Sequence, residues 1–399
     1  MVTRKFSLSK YALAALLSLT VASSSQAAYT LKQKVGDIDT KLKIFGFAQL
    51  QMKGGDGALN SDTTDAPVAF SAQRIRLGVK YFAGNVRAKI LIDFNQDGDK
   101  DKDSAIPFPD TIKDAFVAYK FNNALTIKGG LMKSPVGMSW TMPGWNLDNV
   151  ERAFDKSLVL ERAAGIMLSG RGIGYDNNKV TGLEVGHERP WKGFGYDIMV
   201  GSQAARSKAV INTSKGGGLS YMGRLMYDYT ELFHVETAYG VSENAGGYYN
   251  AVTKTKMNTE DYGVANIAFD SNIDKLSLKA EYFDAQHIKG EKNYDEQVLT
   301  ATAGYFVTSN LELVTKHLQG SAKKDGVSTD LSNTYLGFNF YLSQAKTDYS
   351  RSSKRVRNKH RIVANYIIAD GDTADSTTKW NGLSGYKDDA FVVMYQFTF

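Results

Sequence analysis

The chain has 399 residues, with 48 Lys and Arg against 42 Asp and Glu, no cysteine and a mean hydropathy of −0.31. A net charge of +6 over this length is not the balance of a nucleic-acid-binding protein. The absence of Cys excludes both a disulfide framework and a thiol nucleophile.

Residues 1–27 read as a secretory signal peptide. Arg4, Lys5 and Lys10 make a positive start, Tyr11 to Val21 is an apolar run of eleven residues, and Ser25-Gln26-Ala27 is a small-x-small cleavage site. The run is too short to span a bilayer as a helix, and no later stretch approaches the ~18 apolar residues a membrane helix needs. Cleavage after Ala27, with Ala28 as the alternative, removes three positive charges and no negative ones, so +6 falls to +3. Residues 28–399 are then one domain.

From Lys41 onward the pattern is period 2. Arg74, Arg76, Gly78 and Lys80 alternate with Ile75, Leu77, Val79 and Tyr81. Across the tight link Phe82-Ala83-Gly84-Asn85, Arg87, Lys89, Leu91 and Asp93 alternate with Val86, Ala88, Ile90, Ile92 and Phe94. Strands are predicted over 41–51, 74–81, 86–94, 112–121, 124–133, 165–175, 193–202, 218–229, 233–242, 259–270, 275–286, 296–307, 311–319, 333–343, 359–369 and 389–399. Their links alternate between short ones, such as Asn122-Asn123, and long polar ones, such as 52–69, 95–111, 134–164, 320–332 and 370–388. Segments of about ten alternating residues, with short turns on one side and long loops on the other, define an all-β, antiparallel, up-and-down transmembrane barrel. A seventeenth candidate, 179–188, lacks clean alternation. An even strand number places it in an enlarged periplasmic turn, which leaves 16 strands, with 18 as the alternative. The basic stretch 344–358 also falls on the periplasmic side, as a solvated turn or, alternatively, a contact with peptidoglycan or a periplasmic partner.

The last strand sets Phe391, Val393, Tyr395, Phe397 and Phe399 on one face and Ala390, Val392, Met394, Gln396 and Thr398 on the other. An aromatic-rich final strand ending in Phe resembles the terminal assembly signal of bacterial outer-membrane proteins.

In 134–164 the period-2 pattern stops. Asp148 with Glu151 has capping-box spacing, and Leu147, Val150, Phe154 and Leu158 share one helical face. A short amphipathic helix is therefore predicted, on a loop folded into the lumen.

The stretches A-Q-R-I-R-L-G-V-K at 72–80, I-D-F at 92–94, D-A-F-V-A-Y-K at 114–120, L-T-I-K-G-G-L-M-K-S-P-V-G at 125–137, E-R-A-F at 151–154 and E-R-A-A-G-I-M-L-S-G at 161–170, with the closing strand, resemble the phosphate-selective porin O and P family. The likeness spans about residues 40 to 399 and is densest in 70–175. It implies a homotrimer of 16-stranded barrels, each with an inward constriction loop, passing small anionic solutes. It does not single out phosphate.

A pore selects by size and by the charge of its lining. Arg74, Arg76, Lys80, Arg87 and Lys89, with Lys128, make a cationic lumen wall opposed on the first strands by Asp93. The constriction segment brings Arg152, Lys156 and Arg162 together with Asp148, Glu151, Asp155 and Glu161. This mixture sets up either an anion filter or a transverse field across a general pore. Asp97, Asp99, Asp101 and Asp103 have the every-second-residue spacing of a calcium loop, but interleaved lysines and the missing distal Glu favour a solvated loop over a weak Ca²⁺ site. No other cofactor is expected. Neither H-E-x-x-H nor G-x-S-x-G occurs, so no enzyme is expected. The sequence points to an outer-membrane channel, in contact with outer-membrane lipid, for passive diffusion of small hydrophilic solutes with a lean to anions. The alternative is a plugged barrel with a structural or partner-binding role.

Overall fold

The computed structural model describes residues 29–55, 68–95, 111–174, 192–202, 218–230, 232–243, 248–250, 255–257, 260–342, 360–371, 383 and 385–398. The signal peptide, the four-aspartate loop 95–103 beyond Asn95, the 179–188 segment and the basic 344–358 segment lie outside them.

The strands are β1 (Tyr29–Val35), β2 (Ile38–Gly55), β3 (Val68–Ala83), β4 (Val86–Asp93), β5 (Ile112–Lys120), β6 (Thr126–Lys133), β7 (Arg162–Ile173), β8 (Lys192–Ser202), β9 (Leu219–Tyr229) and β10 (Phe233–Ser242). They continue with β11 (Tyr248–Asn250), β12 (Thr255–Met257), β13 (Tyr262–Ile273), β14 (Leu276–Gln286), β15 (Tyr294–Phe306), β16 (Leu311–Lys324), β17 (Val327–Tyr341), β18 (Arg361–Gly371) and β19 (Ala390–Thr398). Sixteen of them, all but β1 and the small β11–β12 hairpin, pair antiparallel in chain order. β19 returns to β2, from Ala390↔Gly55 to Thr398↔Phe47, and closes the barrel. Closure leaves no open edge in lipid, where an unpaired backbone group would cost several kcal/mol.

Each of the sixteen predicted strands is present. The count of 16 holds, and β1 was not foreseen. β1 pairs with β2 from Tyr29↔Ile44 to Val35↔Ile38, below the point where β19 ends opposite Phe47. It thereby occupies the part of the β2 edge that the last strand leaves open.

Alternation assigns the two faces. Ile166, Ile198, Leu225, Ile267 and Leu299 are 52–65% exposed on the outside, while Met167, Met199, Met226, Ala268 and Val298 beside them point inward and are buried. A water-facing surface would not carry such a belt; a lipid-facing one requires it. Rings gather near the short turns: Tyr119 meets Phe121 at 4.6 Å, and Phe194, Tyr227, Phe233 and Tyr229 form a chain of ring contacts. This is the aromatic girdle of a membrane interface. Among the described residues no helix is long and apolar enough to cross a membrane.

Two expectations are corrected. The 320–332 stretch is not a loop: β16 and β17 run on to Lys324↔Val327 and turn at Asp325-Gly326, both at positive φ (49° and 87°), a turn that suits the twist of a hairpin. Its inner face is still buried at Ala322 and Leu331, but most other residues of the stretch are small or polar, so its sequence lacks the clear alternation that marks a strand. The helix of 134–164 is also elsewhere. A single α-helical turn, α1, spans Met138–Thr141, and 3₁₀ turns occupy Gly144–Asn146 and Phe154–Leu158. Asp148 caps no helix. Both its oxygens are taken by Lys279 Nζ, at 2.6 and 2.7 Å.

Candidate pore constriction

The segment between β6 and β7 does fold inward. It leaves Lys133, crosses the lumen and returns at Arg162. Its apolar residues Val150, Phe154, Leu158, Val159 and Leu160, all at most 3% exposed, join one cluster with Phe283, Val298, Leu318 and Tyr335 of the far wall. Burying several such side chains at ~1.5–3 kcal/mol each is what holds the segment across the lumen.

Polar anchors fix its backbone, which has almost no regular structure to satisfy it. Glu281 of β14 accepts from Met138 N (2.5 Å) and Ser139 N (3.0 Å). Arg361 of β18, fully buried, donates to Leu147 O (2.9 Å), Trp145 O (3.5 Å) and Asn339 Oδ1 (3.1 Å). Asn339 of β17 donates to Asp148 O, and Val150 N donates to Asn365 Oδ1 of β18. Gln49 and Gln396 donate to Gly144 O and Trp145 O, and Tyr262 donates to Leu158 O. Arg224 of β9 reaches Thr141 Oγ1 at 3.3 Å and also belongs to a wall network, Arg171–Asp197–Arg224–Glu236–His234–Asp228.

On the near wall the predicted cations take their places. Arg74 donates through Nη1 to Gln49 Oε1 and Gln73 Oε1, both at 2.6 Å. Arg76 pairs with Asp93 (2.7 Å). Lys89 and Arg162 share Asp114, at 2.7 and 3.1 Å. The segment lies against this wall: a methyl added at Gly144 would come within 3.3 Å of the Arg74 side chain and 3.5 Å of Arg76 Nη1. Arg152 donates to Ser139 O (3.0 Å), Trp140 O (3.3 Å) and Met142 O. The Trp140 ring has Lys133, Arg152 and Arg162 at 5.1, 5.5 and 5.2 Å from its centroid. Burial, and next the charges of Arg74, Arg76 and Arg162, hold the Arg152 guanidinium well below its usual pKa. Four arginines thus crowd one region. Lys156 stays 44% exposed and pairs with Glu161 at 3.3 Å, while Asp155 is fully buried 3.8 Å from Lys316 Nζ.

Toward the short-turn end, cations stand directly opposite one another across the strands. Lys43 is registered with Lys80, and Lys80 with Lys89. One row further, Lys32 is registered with Lys41, and Arg87 lies level with Lys128, with Ala118 between them. Like charges set opposite in a sheet cost stability. Rings lessen the cost at two of them: Phe45 lies 4.6 Å from Lys80 Nζ and Phe116 5.1 Å from Lys128 Nζ.

Behind the segment, against β14–β16, a small recess is lined by charges of both signs, among them Asp148, Glu151, Arg152, Lys279, Glu281 and Lys316. Sequence reasoning missed Lys41, Lys43, Lys53, Lys279, Glu281, Lys316 and Arg361. Inward parity on their strands is the signal that marks the first three. For the others, only the path of the segment shows that they meet it. Among the described residues no cluster of three or more metal-ligating side chains occurs.

A closed 16-stranded barrel with a belt of lipid-facing side chains and a loop folded across a charged lumen defines an outer-membrane diffusion channel, a porin. The comparisons agree. The model of the family "Phosphate-selective porin O and P" matches residues 48–399, and the chain belongs to that family. No curated protein sequence matches. Among solved structures the chain is similar to the outer membrane channel DcaP of Acinetobacter baumannii (13% identity, TM-score 0.59, covering 92% of this chain and 99% of that one). It is also similar to an anion-selective porin from Comamonas acidovorans (12%, 0.56, 90% and 100%) and to the trimer form of OmpT from Vibrio cholerae (12%, 0.56, 90% and 99%). At these identities the likeness is one of fold.

Proposed function

We propose that this porin favours small anions, phosphate among them, and that Arg74, Arg76, Arg152 and Arg162 at the constriction, with Lys43, Lys80 and Lys89 below them, provide the preference. The observation that carries this is the registered row of lysines beside the arginine group. A barrel that serves only to be stable has no reason to set like charges opposite one another. Cations lining a narrow channel with low-dielectric walls focus the field and raise the local anion concentration. Guanidinium forks also match phosphate and carboxylate oxygens. The protein acts as a passive channel and not as an enzyme, as a homotrimer like the trimeric porin it resembles, exported by removal of residues 1–27.

The test is single-channel recording in a planar bilayer under a salt gradient. A reversal potential favouring the anion, moving toward the cation in Arg74→Gln/Arg76→Gln, is expected. Steady cation-favouring channels would overturn the anion reading and leave the porin intact. Silence from folded protein would replace it with the plugged barrel.

A further inference from the structure

The described residues just before β19, Leu383 and Gly385 to Asp389, reach into the barrel. Leu383 is 2% exposed and Tyr386 9%. Gly385 fits so closely that a methyl there would lie 2.6 Å from Phe154 Cδ1, inside the constriction segment. Asn333 of β17 clamps Tyr386 by its backbone on both sides: Tyr386 N donates to Asn333 Oδ1, and Asn333 Nδ2 donates to Tyr386 O, each at 2.9 Å. Tyr335 meets the ring edge-on at 6.2 Å. Held in this way, the Tyr386 hydroxyl donates to Glu151 Oε1 at 2.5 Å.

The other oxygen of Glu151 receives Lys53 Nζ (3.2 Å) and Gln73 Nε2 (3.3 Å). Gln73 faces both ways, because its Oε1 accepts from Arg74 Nη1. A neutral amide therefore stands between the Glu151 carboxylate and Arg74. Among the described residues Arg74 makes no ion pair; its partners are the Gln49 and Gln73 amides. The carboxylate is thus separated from Arg74 by one side chain that touches both. If it were released, it would have a guanidinium waiting beside it and another on its own neighbour, Arg152.

We propose that Tyr386 is a selectivity-setting residue. Its hydroxyl latches Glu151 onto Lys53 and Gln73, and so keeps this carboxylate off Arg74, which, unlike Arg76 with Asp93 and Arg162 with Asp114, makes no ion pair among the described residues. The last outer connection is then part of the filter, through a contact about 235 positions away in sequence. This rests on the anion reading above, but its test is separable.

Tyr386→Phe removes only the hydroxyl and keeps the ring. Reversal potentials are compared for the natural protein, Tyr386→Phe, Glu151→Gln and the double variant. The anion-to-cation permeability ratio should fall about two- to five-fold in Tyr386→Phe and stay at or above the natural value in Glu151→Gln. Tyr386→Phe should then have no further effect in the Glu151→Gln background. A Tyr386→Phe channel with unchanged selectivity would overturn the latch, as would a loss that persists without the Glu151 charge. If the natural channel favours cations, the anion reading fails, and the latch is still judged by whether Tyr386→Phe moves the potential further toward cations.

Discussion

Arg152 and Lys156 are both cations of the constriction segment, four residues apart, and their replacement should do different things. Arg152 is used up by its own segment. Its guanidinium binds the carbonyls of Ser139, Trp140 and Met142 and lies over the Trp140 ring. Hydrogen bonds involving a charged group contribute ~1.5–3 kcal/mol each, and a partly desolvated cation–π contact ~0.5–2. Three bonds plus one ring contact sum to about 5–11 kcal/mol at most. Since water reaches the lumen and replaces part of this, about 2–4 kcal/mol of local rigidity is at stake. Arg152→Met keeps the stem on Trp140 and removes the bonds. It should loosen the turn at 138–142, giving noisier open-channel current and a changed conductance, together with some loss of anion preference. Lys156 has one ion pair and a 44% exposed side chain, a contact worth ~0–1 kcal/mol. Lys156→Gln should shift the reversal potential and leave conductance noise as it was. Recordings on both variants at one salt gradient decide the matter. A quiet Arg152→Met channel of unaltered conductance would refute the staple role, and a noisy Lys156→Gln channel would refute the contrast.

Arg361→Met should lower the unfolding midpoint and expose the constriction segment to protease, because Leu147 O loses a buried charged donor at a cost of about 2–4 kcal/mol. Glu281→Gln should destabilise by about 1–3 kcal/mol, since one carboxylate oxygen that accepts from Met138 N or Ser139 N becomes a donor facing a donor; hydrogen exchange at those two amides would report it. The Lys156 ammonium is lowered from its ordinary pKa, first by desolvation and then by Arg152 and Arg74, with Glu161 acting in the opposite sense. A lowered lysine loses its charge at a lower pH than usual, so anion preference should decline as pH rises from neutral toward the ordinary lysine range. Reversal potentials across that range should show the decline in the natural protein and a flatter profile in Lys156→Arg.

Much of this protein is written in a local period. Lipid outside and water inside impose opposite chemistry on successive residues of a strand, so the strands, their number, the outward belt and the inward set Arg74, Arg76, Lys80, Arg87, Lys89 and Lys128 are legible in the sequence. The end of alternation at 134–164 marks a segment that is not wall. Its internal form was not legible. Leu147, Val150, Phe154 and Leu158 suggest a helix because they are buried, as they are. Val150, Phe154 and Leu158 are buried against the far wall, and contacts from β14, β17 and β18 satisfy the segment's backbone in place of helical bonds. The partners of Glu151 come from positions 53, 73 and 386, and those of Asp148 from 279 and 339. Alternation is a property of neighbours in the chain, and it decides which way a side chain points. What that side chain meets across the lumen depends on barrel closure and on the route of one segment through it, and only the tertiary structure decides that.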